Sequence, residues 1–256
     1  GQHNSAMEAA EELIATTPEA LLRIESPAMA DWMEAYIGMK AHIFIRFGKW
    51  QEIINEALPN DADLYRMTTA VWHYAKTIAH AALGNVPAAV EQSLLFDQAV
   101  LRVPESRYIF NNSCLDVLKI AEQMMLGEIE YRKQNYEVAY DHLRFAVQLD
   151  DDLKYDEPWG WMQPARHALG ALLLEQGHIE KAKQIYLDDL GLSDTLVSTS
   201  QHRDNLWSLH GLVECLEREG DLVQAKQMRA RLNLAKARAD VPIEASCACR
   251  LQHHEK

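Results

Sequence analysis

No apolar run in this 256-residue sequence approaches the roughly 20 residues that a membrane-spanning helix needs. The first residues also lack the charged, apolar and small-residue zones of a secretion signal. A soluble, cytoplasmic chain is the expectation. Cysteine is scarce: four in a chain of this length do not make a disulfide framework. Cys114 and Cys215 fall in helical stretches and read as small buried thiols, so a reducing compartment is the simpler assumption. Positive charge is in short supply too, with 25 Lys and Arg against 38 Asp and Glu and a formal net charge of -13. That balance argues against nucleic acid and anionic membrane as partners and favours a neutral or basic ligand. Common catalytic signatures are missing: there is no GxxxxGK[ST] phosphate loop, no GxGxxG after a strand, no HExxH and no GxSxG elbow. The acid run Asp150-Asp151-Asp152 lacks the alternation and glycine of a calcium loop and reads as a solvated helix end. Sustained alternation at strand spacing is absent as well.

What is present is helical periodicity, as in Leu169, Leu172, Leu173 and then Ile179, Ala182, Ile185, Tyr186. The fold class it predicts is all-α. A hydrophobic content of 48% excludes a disordered chain. One pattern recurs: a glycine or other helix breaker followed five positions later by a small residue, at Gly84/Ala89, Gln134/Ala139, Gly177/Ala182 and Gly220/Ala225. A weaker copy stands at Gly48/Ile53, and Gly1/Ala6 has the same offset, so the chain is expected to begin inside a hairpin. In two copies the pattern lengthens to Leu126-Gly127 through Ala139 and Leu169-Gly170 through Ala182. From Gly48 onward the anchors lie 36, 50, 43 and 43 residues apart. Each unit is thus a helix pair with variable extra length, and such pairs bury their apolar faces only by stacking. The extra length falls in two loops, Arg102 to Ser113 and Asp150 to Gly160, of the kind that lines binding sites. Past about Ala239 the period fades. The expected division is therefore a helical array over 1–239 and a non-helical tail over 240–256 that carries Cys247-x-Cys249.

The hairpin resembles the tetratricopeptide repeat, whose first helix carries a Leu-Gly pair and whose second opens with a small residue after a tight turn. The match is good at Gly127 and Gly170 and looser elsewhere. Over nearly its whole length the chain also resembles the C-terminal half of a group of larger bacterial and fungal repeat proteins with little assigned function. The strings MADWMEAY, AHIFIRFGKW, RVPESRYIFNNSCLD, YDEPWGWMQPARHALGALLLEQG, NLWSLHG and ASCACR carry that likeness. The resemblance implies a right-handed α-solenoid with an irregular C-terminal tail. It also implies a further histidine-rich N-terminal segment of the same protein, in keeping with a start in mid-hairpin.

In a tetratricopeptide array, the fifth and ninth residues of each first helix face the concave groove. Placing each anchor at the turn assigns Gly38 and His42, Tyr74 and Ile78, Met124 and Glu128, His167 and Ala171, and His210 and Glu214 to that face. Trp207 lies three residues before His210 and shares its side of the helix. Arg166 and His167 are adjacent, so their side chains diverge by about 100°. A clamp for a terminal carboxylate needs cationic or amide donors, and this face offers imidazole, carboxylate, phenol and thioether instead. A TPR-like module that binds a protein or peptide, or a small neutral or basic ligand, is the leading reading. The loop Tyr155 to Trp161 adds Trp159 and Trp161 as a flat apolar surface beside Asp156 and Glu157, where a cation would stack, or as packing between two repeats. The alternative is half of a metal-dependent, oxidative enzyme: imidazoles of His42, His167 and His210 with the thiolates of Cys247 and Cys249 suit copper(I) or zinc.

Overall fold

The computed structural model describes residues 1–157 and 159–253, which leaves out Pro158 of the Tyr155–Trp161 loop and the last three residues of the tail. The chain is mostly helical, in keeping with the all-α reading. Among the described residues no helix is long and apolar enough to cross a membrane. In order along the chain come α1 (His3–Thr16), α2 (Glu19–Leu22), α3 (Met29–Met33), a 3-10 turn (Glu34–Gly38), α4 (Met39–Arg46) and α5 (Trp50–Asn55). The longer pairs follow: α6 (Arg66–Ala82) with α7 (Val86–Val100), α8 (Cys114–Arg132) with α9 (Tyr136–Asp151), α10 (Ala165–Glu175) with α11 (Ile179–Asp189), and α12 (Leu206–Glu219) with α13 (Leu222–Lys236). Periodicity alone did not show the short antiparallel hairpin of β1 (Tyr108–Ile109) and β2 (Asn112–Ser113) inside the loop ahead of α8.

The anchors are helix stops of one design. Gly48, Gly84, Gln134, Gly177 and Gly220 all adopt positive φ, between 65° and 80°. At Gly84 the residue's own N–H donates to the Ala81 carbonyl and the next N–H, of Asn85, donates to the His80 carbonyl, both at 2.8 Å. The same pair of bonds recurs at the other four anchors, so carbonyls that a helix end leaves unsatisfied find partners in the turn. The second helix then starts two residues past each anchor, and α1 starts at that offset from Gly1. Three residues further on, the small residue of the pattern is buried against the first helix: Ala89, Ala139, Ala182 and Ala225.

Two compact units make up the chain. The N-terminal unit is Ser5–Gln163, and the C-terminal unit is Gly1–Asn4 together with the chain from Pro164 onward. In the N-terminal unit α6 is buried along almost its whole length, between α7, α8 and the α4–α5 segment, because its alanines allow close approach. Its N-terminus is capped from outside: the Glu34 carboxylate accepts from the N–H groups of Met67 (3.1 Å) and Thr68 (2.8 Å) and is paired with the buried Arg107. In the C-terminal unit α12 packs on both α10 and α11. The tail is not irregular throughout: Ala248–His253 form a 3-10 turn that lies against α10.

Candidate binding sites in the two units

In the N-terminal unit, two residues that sequence reasoning placed on the groove come together with one that it placed on the loop. His42 of α4, Tyr74 of α6 and Trp161, from the segment after α9, meet with ring centroids 5.1 Å (His42–Trp161), 5.5 Å (Tyr74–Trp161) and 6.4 Å (His42–Tyr74) apart. The expectation of an open face is corrected here, since Tyr74 and Trp161 are only 1% and 2% exposed and His42 7%. Each carries a buried polar atom without a hydrogen-bond partner: His42 Nδ1, the Tyr74 hydroxyl and Trp161 Nε1. Buried polar atoms are ordinarily satisfied, so three in one cluster set this place apart from the rest of the core. Gln163 donates to the His42 backbone carbonyl and so holds the segment after Trp161 onto α4.

Burial decides the charge states. It pushes the His42 imidazole down to about 4, so the ring is neutral at neutral pH. It raises the Tyr74 hydroxyl far above its ordinary value, with the negative charge of Glu128 adding to the effect. Glu128 is itself buried and paired with Arg132 at 2.6 Å. Because the folded His42 titrates below its unfolded value of 6.5, its contribution to stability is complete above pH 6.5 and is lost as pH falls toward 4. At about 1.4 kcal/mol per unit, that loss amounts to about 3 kcal/mol. Urea unfolding at a series of pH values should show a loss of that size in the wild type relative to His42→Phe, and parallel profiles would contradict it.

Beside the cluster lies an open, apolar cavity of about 370 Å³. His42, Met39 and Ile43 of α4 form one wall, Leu13 and alanines of α1 another, and Tyr36, Phe47, Phe110, Met162 and Gln163 complete it, with Arg46 the one charged residue among the described lining. Lys154 and Asp156, ahead of the lining residues Met162 and Gln163, are held by Asn112. That side chain donates to the Lys154 carbonyl (3.0 Å) and to Asp156 Oδ2 (2.5 Å) and accepts from the Lys154 N–H (2.8 Å). Asp156 therefore sits inside and is consumed by Asn111 and Asn112, which corrects its reading as a charged surface beside the tryptophans. Trp159, by contrast, is 45% exposed.

The C-terminal unit holds the other sequence candidates. Arg166 and His167 are buried at the start of α10, and the ring of Trp207 stacks on His167 with centroids 6.5 Å apart and planes 15° from parallel. His167 faces Asp189, a residue sequence reasoning missed. Asp189 Oδ2 accepts from His167 Nε2 (2.9 Å), Asn205 Nδ2 (2.7 Å) and Ser208 Oγ (2.5 Å), and Oδ1 accepts from His202 Nδ1 (2.8 Å). Burial works to raise this carboxyl, but the two imidazoles overcome it and hold Asp189 well below the usual carboxylate range. A signal existed: Ala182, Tyr186 and Asp189 share the buried stripe of α11, and an acid on such a stripe requires partners.

On α12, His210 is half-buried with its Nδ1 unpartnered, and burial lowers its pKa. Glu214 binds Arg218 (2.5 Å) from its own helix and Arg250 of the tail, and it shares a polar cavity of about 550 Å³ with His210. The sulfurs of Cys247 and Cys249 are bonded to each other, so thiolate ligation by this pair requires the reduced form. Among the described residues no three His, Cys, Asp or Glu side chains are grouped to hold a metal ion. Compared with known proteins, the chain matches no family model, no curated protein and no solved structure.

Proposed function

We propose that the chain is a helical-repeat binding module of tetratricopeptide type, a right-handed array whose ligand places an uncharged apolar group in the cavity beside His42. The array reading rests on the five helix stops of one design and the alanine five positions after four of them. The binding reading rests on one observation: an open apolar cavity whose His42 wall is backed by the unpartnered polar atoms of Tyr74 and Trp161. The lining itself is apolar apart from Tyr36, His42, Arg46 and Gln163, and a few polar groups in an apolar concavity are the usual composition of a ligand site. With His42 neutral and no acid in the lining, an apolar side chain of a peptide, or a small molecule with a hydrogen-bond acceptor, is the matching chemistry.

Ala9 lines the cavity from an exposed position on α1, so a larger side chain there fills the space without disturbing the core. Titration with Nile red, an uncharged apolar fluorophore, should give a saturable emission increase with the wild type and none with Ala9→Trp. Equal responses from the two proteins would remove the cavity as the site.

A further inference from the structure

The shape of the cavity beside His42 follows from its two helical walls. Met39, His42, Ile43 and Arg46 recur at helical spacing and share one face of α4. Ala6, Ala9, Ala10 and Leu13 repeat the same spacing on α1. Each stripe spans seven residue steps, a length of about 10 Å. Three of the four α1 residues are alanines, whose methyl groups stop short of α4 and leave the space open. A volume of about 370 Å³ over that length corresponds to a channel about 6 Å across, which fits a linear apolar chain.

The polar lining decides what that chain carries. No Asp or Glu is among the described lining, although the protein has 38 of them, and the one charge there is the partly buried Arg46. The other polar groups are uncharged. Burial keeps the Tyr36 hydroxyl protonated and the His42 ring neutral at neutral pH, and Gln163 donates to the His42 carbonyl. Arg46 alone therefore sets the sign. It has interactions of its own, but a guanidinium with five N–H donors serves a second acceptor as well. Its matching acceptor is a carboxylate, which takes two parallel bonds from the guanidinium fork. The net charge of -13 works against anions in general, so selectivity for one has to come from this local arginine.

We propose that the ligand of this cavity is a linear apolar carboxylate, its chain lying in the channel and its carboxylate on Arg46 at the end of the α4 stripe. The assignment rests on the reading of the cavity as a ligand site and names the class of ligand.

The assay is displacement of Nile red from the full chain at pH 7, with decanoate and decan-1-ol as competitors of equal chain length. Decanoate should displace the dye from the wild type at about tenfold lower concentration than decan-1-ol, the effect of a hydrogen bond to a charged group at a partly buried site. Arg46→Gln should bring the two concentrations close to equality, with circular dichroism confirming that the variant is folded. Should it not fold, Arg46→Lys takes its place, and the decanoate advantage should drop to about threefold as the fork is lost and the charge kept. Equal displacement by the two competitors in the wild type, or a decanoate advantage that survives the substitution at full size, would overturn the carboxylate assignment and leave the cavity reading standing. So would saturable Nile red binding that neither competitor displaces. A wild type that does not bind Nile red saturably would instead remove the cavity reading, and the assignment with it.

Discussion

Asp189→Ala should lower the unfolding free energy of the C-terminal unit by about 4 kcal/mol, because it takes a shared buried acceptor away from a charged network. Four side chains lose their acceptor at once: His167, His202, Asn205 and Ser208. They come from α10, the 191–205 connection and α12, so this carboxylate ties three segments to the end of α11. Asn205 is also the N-cap of α12, accepting from the Ser208 N–H at 2.8 Å, so the loss reaches the start of that helix. Asp189→Asn should fall between the two, since an amide oxygen accepts one set of these bonds while its NH2 confronts donors on the other side. The linkage has a definite sign. The folded carboxyl titrates well below its ordinary value of 3.8, so its contribution is complete above about pH 4 and is lost progressively as pH falls below that. A denaturation series in which Asp189→Ala loses under 1 kcal/mol would mean that the network does not carry the unit.

Gly211→Ala should cost about 3 kcal/mol, at the upper end for overpacking a well-filled core. A Cβ on Gly211 of α12 would overlap ring atoms Cζ and Cε2 of Tyr186. The ring has no room to retreat, because a Cβ on Gly170 of α10 would already meet it at 2.8 Å from the opposite side, and its hydroxyl is bound to Ser246. Two glycines thus form a slot that takes the Tyr186 ring edge to edge with the backbone. The diagnostic is coupling: Gly211→Ala combined with Tyr186→Leu should lose at least about 1 kcal/mol less than the sum of the single losses. Additive losses would show that the clash is absorbed elsewhere.

The helix pairs were legible in the sequence because a helix stop is a local event. A positive-φ residue, two returning hydrogen bonds and a small residue five positions on all fall within ten residues, and glycine marks four of the five cases. Gln134 takes the same conformation without being glycine and was found only through Ala139. Leu-Gly in mid-helix proved equally local: a Cβ on Gly127 would meet Leu143 at 2.7 Å, which is close helix approach written into one residue. The sites were less legible because they depend on long-range contacts. His42, Tyr74 and Trp161, all singled out in the sequence, meet as buried neighbours. The partners that fix the sites, Asp189 for His167, Asn112 for Asp156 and Arg107 for Glu34, lie 22 to 73 residues away in sequence, and no spacing rule connects them.

The central claim, a ligand cavity beside the His42–Tyr74–Trp161 cluster, is tested most directly at Trp161. Its indole N–H is buried without a partner, and it is one of six tryptophans, each giving one indole signal in a nitrogen–proton correlation spectrum. During titration with Nile red, the signal assigned through Trp161→Phe should shift saturably, tracking the fluorescence binding curve, while the exposed Trp32 stays in place. Binding that leaves the Trp161 indole unmoved, or moves Trp32 instead, would contradict the account.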